Sequence, residues 1–198
     1  MSSTLSYFWL KLQALALLVF DQRPAALAKF DAMLVLRPGE RYALASRAHV
    51  LAEQGDKHAA IVALQELTER HPDNAAAWFN LAYLLDELGR HADAEPAFRS
   101  ALEREPKMDR AWYGLGLLLS RERRFDEALE ALKKNTELQP MSPFGWYQLA
   151  RVHVDRQDPE AALKVIRHLK GFEPKVAAQL ERETGLSVTR PASSGVAI

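Results

Sequence analysis

The chain has 198 residues, of which 48% are apolar and 26% charged, a composition that can support a folded core. Its 26 Lys and Arg balance its 26 Asp and Glu, so no net charge draws it to nucleic acid or an anionic membrane, and nucleic acid is not expected as a partner. The absence of cysteine excludes disulfides, a thiol nucleophile and a zinc–thiolate cluster.

The most apolar window comes first, at residues 5–20, LSYFWLKLQALALLVF. It is shorter than the roughly 20 apolar residues of a membrane span and contains Lys11, so no direct span is expected. No basic segment precedes it, which argues against a signal peptide. The window predicts a helix buried in protein. The alternative is an exposed association surface at Phe8, Trp9 and Leu12, through which a homodimer would form.

From residue 7 to residue 176 the chain divides without gaps into five rows of 34 residues: 7–40, 41–74, 75–108, 109–142 and 143–176. Four columns repeat in phase, one each for proline, alanine, a small residue and a bulky residue. The prolines are Pro38, Pro72, Pro106, Pro140 and Pro174; the alanines are Ala26, Ala60, Ala94, Ala128 and Ala162. The small residues are Ala14, Ala48, Ala82, Gly116 and Ala150; the bulky ones are Leu10, Leu44, Trp78, Trp112 and Trp146. A fixed period of this length indicates stacked supersecondary units.

Each row predicts two helices. Apolar residues from Trp78 to Leu85 follow the i, i+3, i+4, i+7 spacing of one helix face, and those from Ala94 to Ala101 follow i, i+4, i+7. A turn separates the two, marked by Gly55 and Gly89 in two of the rows. The row-end proline then ends the second helix, because proline lacks the N–H of the helical ladder.

These columns, most complete in rows 75–108 and 109–142, resemble the tetratricopeptide repeat. The resemblance implies an all-α fold, a right-handed superhelical solenoid of five helix-turn-helix repeats. It also implies that the first helices line a concave groove that binds an extended peptide or helix of a partner protein. Some positions depart from the family pattern: Asn135 replaces a small apolar residue, His153 a large one, and Pro96 lies inside a second helix.

After the last row, residues 177–186 predict a C-terminal capping helix, with Gly185 suited to a helix stop. Residues 1–186 are therefore expected to form a single domain. Residues 187–198 lack periodicity and are predicted to be a disordered tail.

The groove is predicted to lie on the stripe of each first helix opposite the packed one. Large, stiff aromatic side chains recur there, which suits capture of a peptide at low entropic cost. An alternative is that these aromatics pack between neighbouring rows. The candidate groove residues are Tyr42, His49, Phe79, Asn80, Tyr83, Asp86, Arg110, Tyr113, Leu117, Phe144, Tyr147, Gln148 and Arg151.

Some members of the family hold a terminal carboxylate with Lys, Arg and Asn side chains. Asn80 and Arg110 match that pattern, whereas His49, Ala45 and Gly114 replace an expected Asn, Lys and Arg. Since charge-assisted donors carry most of the specificity of such a site, this clamp is not expected here.

Catalytic motifs do not occur: the sequence has no Gly-rich phosphate loop, no G-x-S-x-G and no H-E-x-x-H. No enzyme activity, metal or cofactor is expected. The predicted function is a cytoplasmic, non-catalytic adaptor or scaffold that binds a protein or peptide partner. Two alternatives stay open: a dedicated chaperone of one client, as in bacterial secretion systems, and a subunit that oligomerises through its apolar first helix.

Overall fold

The computed structural model describes residues 3–188, and in this range it contains helices and no strands. The all-α class is therefore confirmed. Of the predicted tail, residues 189–198 lie outside the described residues. The helices are α1 (Ser3–Val19), α2 (Arg23–Leu36), α3 (Arg41–Glu53), α4 (Lys57–Arg70), α5 (Ala75–Glu87), α6 (His91–Arg104), α7 (Asp109–Arg121), α8 (Phe125–Leu138), α9 (Pro143–Asp155), α10 (Pro159–Phe172) and α11 (Pro174–Thr184).

Two compact units divide the chain, one at Met1–Pro106 and one at Lys107–Ile198. We call them the N-terminal unit and the C-terminal unit. The first contains three helix pairs; the second contains two pairs followed by α11. Within each unit the second helix of one pair contacts the first helix of the next, as α2 contacts α3 and α8 contacts α9. The pairs thus follow the 34-residue rows.

Each second helix ends two residues before its row-end proline. The intervening residue, such as His71, Glu105 or Gln139, has φ between −134° and −129°, well away from helical values. Steric contact with the proline ring imposes this conformation on the preceding residue. Pro174 also begins α11, three residues before the predicted start at residue 177, because a first-turn proline forfeits no helical hydrogen bond.

The turn inside each pair places one residue in the left-handed region at the same row position. The five residues, each 34 apart, are Asp21 (φ 57°), Gly55 (82°), Gly89 (73°), Arg123 (62°) and Gln157 (64°). A side chain at positive φ costs roughly 1–2 kcal/mol, and glycine avoids that cost. Three of the five turns therefore hold a residue that strains the backbone.

We expect Gln157→Gly to raise the free energy of unfolding by about 0.5–1 kcal/mol, because it relieves this strain at an exposed position. Gly89→Ala should lower it by about 1 kcal/mol, although a Cβ there meets open space. Urea denaturation measures both. The control is Gly171→Ala, also into open space but in helix α10, which should not destabilise. If Gly89→Ala and Gly171→Ala changed the free energy of unfolding in the same direction, backbone strain at positive φ would not be the cause.

Small residues let the paired helices approach closely. The alanine and small columns are buried along their whole length in both units. At Gly116, an added Cβ would lie 2.9 Å from Cδ2 of Leu132 in the partner helix. Since real Cβ atoms do not approach a neighbour so closely, the α7–α8 contact depends on glycine at this position.

Tryptophan and proline, whose recurrence the sequence presents as two separate features, are linked by a hydrogen bond. The indole N–H of Trp78 donates to the carbonyl of Pro72 at 2.9 Å, and that of Trp146 to the carbonyl of Pro140 at 2.8 Å. The bond closes the loop between one pair and the next. A bulky residue without this donor, as at Leu44, fills the column but cannot form the bond.

His153 occupies a buried position that holds leucine in α5 and α7. Its Nδ1 has no hydrogen-bond partner among the described residues and lies 3.8 Å from a carboxylate oxygen of Asp158. Burial lowers the pKa of His153, and the negative charge of Asp158 only partly offsets this. The neutral imidazole is therefore the form that the fold accommodates.

Acidification is expected to destabilise the C-terminal unit through His153. Because its pKa is lower in the folded than in the unfolded chain, the unfolded chain binds more protons below about pH 6.5. The contribution of the neutral His153 to the free energy of unfolding is therefore complete above about pH 6.5. This contribution is lost as the pH falls through the pKa that His153 has in the folded chain. Urea denaturation at several pH values across this range should show that the free energy of unfolding falls less with acidification in His153→Leu than in the wild type. His58→Leu, at an exposed histidine, is the control. If the free energy of unfolding of His153→Leu fell with pH as steeply as that of the wild type, the acid sensitivity would not come from His153.

Candidate polypeptide-binding faces

In the N-terminal unit, side chains of α3, α4 and α5 form a small pocket of about 160 Å³. Three predicted groove residues, His49, Asn80 and Tyr83, line it. The others that line it are Ala48, Ala52, Leu64 and Leu84. The pocket thus has an apolar floor and a polar, aromatic rim, the composition common to ligand sites in proteins.

Tyr83 is the prominent side chain of this pocket, with 50% of its surface exposed. Its ring stacks on Phe79 with the centroids 6.4 Å apart, and Phe79 lies 6.2 Å from the buried Phe98. Burial and the neighbouring carboxylate of Glu87, which accepts a hydrogen bond from the Tyr83 hydroxyl at 3.2 Å, raise the pKa of Tyr83. A column of three rings therefore anchors an exposed tyrosine in the core.

Two other predicted residues of this unit are engaged within the fold. The Tyr42 ring lies edge-on to Phe30 at 6.3 Å and carries the Lys11 ammonium 3.8 Å from its centroid. Oδ1 of Asp86 lies within hydrogen-bonding distance of Nδ1 of His91, at 2.9 Å. Tyr42 therefore packs between rows, as the alternative interpretation of the aromatics predicts, and Asp86 ties α5 to α6.

The C-terminal unit carries two larger pockets that share Phe144. The first, of about 390 Å³, is lined by Asp109, Arg110, Tyr113, Asn135, Gln139, Ser142 and Phe144. The second, of about 350 Å³, is lined by Pro143, Phe144, Tyr147, Gln148, Val176 and Gln179. Phe144 is 70% exposed and forms the wall between them. Five predicted groove residues of this unit thus lie together around two adjoining pockets, whereas Leu117 is half-buried outside both.

The two pockets differ in chemistry. The first contains both signs of charge, from Asp109 and Arg110, and two amide side chains. The second has apolar side chains from Pro143, Phe144 and Val176 beside two amide side chains, Gln148 and Gln179. The first therefore suits a polar or charged side chain and the second an apolar one.

Helix α11 occupies part of the predicted face of the last pair. The Glu183 carboxylate accepts hydrogen bonds from the Tyr147 hydroxyl and from Nη1 of Arg151, the latter at 3.1 Å. Hydrogen bonds from Tyr147 and Gln179 lower the pKa of Glu183, and the bond to Glu183 raises that of Tyr147. Arg151 is thus bound within the chain.

Several residues of these pockets were not among the predicted site residues. Asn135, buried and donating to the carbonyl of Asp109 at 2.9 Å, had a signal in the sequence, because it breaks an otherwise small apolar column. Gln139 and Ser142 lie between α8 and α9. The apolar helix spacing does not extend into that connection, and the proline column there indicates only a helix end, so neither pattern selects them.

The predicted association residues lie on one face of α1. Phe8 is 59% exposed, Trp9 is 54% exposed, and Leu12 is also exposed. Their face continues along the helix through Leu5 and Val19. We call this surface the α1 stripe.

Among residues 3–188, no helix has both the length and the apolar character needed to cross a membrane. In the same range, no cluster of three or more His, Asp or Glu side chains has the arrangement of a metal site.

Comparison with known proteins supports this architecture. No curated protein matches the chain. Solved structures with the same fold include MamA from Desulfovibrio magneticus RS-1 (20% identity, TM-score 0.76, covering 90% of this chain and 96% of that one). YrrB, described as a tetratricopeptide repeat protein with an unusual peptide-binding site, gives 21% identity and a TM-score of 0.75, over 85% of this chain and 88% of its own. PilF from Pseudomonas aeruginosa is 19% identical with a TM-score of 0.68, and the match covers 94% of this chain and 96% of PilF.

A family model for the tetratricopeptide repeat matches residues 45–99 and 82–143, which together make up half of the chain. The matched residues include Trp78 and Trp112, the buried Gly116 and the second helices α4, α6 and α8, each followed by its row-end proline. The chain belongs to the tetratricopeptide repeat family.

Proposed function

We propose that this protein is a non-catalytic scaffold that binds an extended segment of a partner protein on the faces of its first helices. The observation that carries the proposal is Phe144, an exposed ring between two adjoining pockets of about 390 and 350 Å³. A stiff aromatic side chain loses little entropy when it is covered, and such residues dominate the binding energy of many interfaces.

The neighbouring pockets suggest the kind of segment that fits. Adjacent side chains of an extended peptide point to opposite sides of its backbone. A peptide that crosses Phe144 therefore directs one side chain toward the first pocket and the next toward the second. Arg110 and Asp109 favour a polar or charged side chain in the first pocket, and Val176 and Pro143 an apolar one in the second. YrrB, which has the same fold, is itself described as having a peptide-binding site.

The test begins with peptides selected from a displayed random library against the wild-type chain. Their affinities for variants are then measured by fluorescence anisotropy. Phe144→Ala should weaken binding by at least about 30-fold, the effect of a residue worth about 2 kcal/mol at the centre of an interface. Tyr83→Ala is expected to weaken the binding of those selected peptides that contact the N-terminal unit.

Val62→Ala is the matched control, since Val62 is exposed on the second helix α4 and lines none of these pockets. It should leave the affinities unchanged. Circular dichroism confirms that each variant keeps its helical content. Selected peptides that bind Phe144→Ala and Tyr83→Ala as tightly as the wild type would refute the proposal.

A second candidate function, favoured by the α1 stripe, is assembly with another protein surface through α1. Leu5, Phe8, Trp9, Leu12 and Val19 are exposed together on this helix. A continuous apolar surface of this size is typical of an interface. Assembly through α1 and peptide binding on the other first helices are compatible, because they use different surfaces.

A further inference from the structure

Helix α1 is apolar on two opposite faces. Tyr7, Leu10, Ala14, Leu17 and Leu18 pack against the core of the N-terminal unit. At about 100° per residue, the exposed apolar residues fall within roughly one third of the circumference on the other side. They are Leu5, Phe8, Trp9, Leu12, Leu15, Ala16 and Val19. A helix exposed to water on one side normally carries polar residues there, so this face needs a partner.

The repeat itself indicates what kind of surface the α1 stripe is. Trp9 stands one row before Ala43, and Ala16 one row before Val50; both of these later residues are fully buried. Ala43 and Val50 belong to the cluster that contains Phe30 of α2. In α3 this face therefore packs on the second helix of the preceding pair. In α1 the same face is exposed, so it has the geometry of a helix-packing surface.

The charges of α1 narrow the choice of partner. The sequence of Ser3–Val19 has one charged side chain, Lys11, and it lies over the ring of Tyr42, away from the exposed stripe. The α1 stripe therefore offers no charge by which a charged partner could be recognised. It requires a neutral apolar surface of similar length, about 25 Å for a 17-residue helix.

Taken with the second candidate function above, on which this inference rests, the geometry points to a second copy of this chain, bound with its α1 antiparallel to the first. The stripe is complementary to itself in that orientation. A two-fold axis at Leu12 brings Phe8 opposite Ala16 and Trp9 opposite Leu15, so that the two large rings of each copy meet smaller side chains of the other. A parallel arrangement would instead place ring against ring.

The exposed area is sufficient for such a dimer. Phe8 and Trp9 each expose more than half of their surface, and a fully buried aromatic side chain covers roughly 150–250 Å². With the exposed Leu5, Leu12, Leu15 and Val19, the stripe approaches the roughly 600 Å² per partner at the lower end of stable interfaces.

Sedimentation velocity of the full chain at micromolar concentrations tests the inference. The wild type is expected to be a dimer. Leu12→Glu should convert it to a monomer, because it places two carboxylates together at the axis. Val62→Glu, at an exposed valine of α4, should remain a dimer. Circular dichroism checks that the helical content is retained. A monomeric wild type, or a dimer that persists in folded Leu12→Glu, would overturn the inference.

Because the chain has no cysteine, single-cysteine variants report the register directly. Under mild oxidation Leu12→Cys should form a disulfide-linked dimer, and Val62→Cys should not. Failure of Leu12→Cys to cross-link while the wild type is a dimer would exclude the proposed axis. Vesicles of phosphatidylcholine and phosphatidylglycerol provide the other arm: flotation of the wild type with them, lost in Leu12→Glu, would show that the stripe binds lipid and overturn the dimer.

The two functions are separable in these experiments. Leu12→Glu should keep the affinity of the wild type for the selected peptides, and Phe144→Ala should remain a dimer. Loss of peptide binding in Phe144→Ala thus tests the groove alone, and loss of the dimer in Leu12→Glu tests the α1 stripe alone.

Discussion

Gly145→Ala is expected to lower the free energy of unfolding of the C-terminal unit by about 1–3 kcal/mol, the usual cost of an extra methyl in a full core. Gly145 lies in α9, and an added Cβ would overlap Oδ1 of Asn135 and lie 3.1 Å from Cγ2 of Thr136. Asn135 cannot easily move away, because it is buried and its Nδ2 donates to the carbonyl of Asp109 at 2.9 Å. The overlap opposes the helix propensity of alanine, which alone would stabilise α9 by about 1 kcal/mol.

A double substitution isolates the cause. Asn135→Ala alone should cost about 1 kcal/mol, the value of its hydrogen bond. In Asn135→Ala/Gly145→Ala the overlap is gone, so the Gly145→Ala step should become neutral or stabilising. Alanine stands at the equivalent of residue 145 in three earlier rows, at Ala43, Ala77 and Ala111. Urea denaturation of the four proteins gives the coupling energy, and additive effects would contradict the proposed overlap.

Phe30→Ala is expected to destabilise the N-terminal unit by about 3–5 kcal/mol, the usual cost of removing a buried ring. Phe30 is completely buried in a cluster to which α1, α2 and α3 all contribute, through Ala14, Met33 and Val50 among others. Its ring also lies edge-on to Tyr42. Helices on both sides of α2 would therefore lose contacts around the cavity.

Val35→Ala in the same helix is the matched control, because 81% of Val35 is exposed. It should change the free energy of unfolding by no more than about 0.5 kcal/mol. Chemical denaturation followed by circular dichroism compares the two. If Phe30→Ala were no more destabilising than Val35→Ala, the cluster would not be the core of this unit.

The helix pairs could be predicted from the sequence because two signals agree in every row. The apolar spacing defines the packed faces, and the proline column ends each second helix through its effect on the preceding residue. The left-handed turn position was visible only at Gly55 and Gly89. At Asp21, Arg123 and Gln157 the same backbone occurs without glycine, so no residue type indicated it.

The candidate site was less predictable, because helical periodicity identifies a face but not the contacts of each side chain on it. Asp86 and Arg151 lie on the predicted stripe, yet each is paired within the chain, with His91 and Glu183 respectively. Those partners are on the following helix or on α11, and their rotamers depend on packing that a single sequence does not reveal. Phe144 and Tyr83 have exposed rings that a periodic pattern could indicate.

Hydrogen–deuterium exchange of the full chain, with and without a selected library peptide at saturation, tests the central claim most directly. The claim is that the stacked pairs present their first helices as a surface for a partner polypeptide. We predict that the peptide slows exchange in α7 and α9, beside Phe144, or in α3 and α5, beside Tyr83, and leaves α6 and α10 unchanged. Protection confined to the second helices, or to α1, would contradict it.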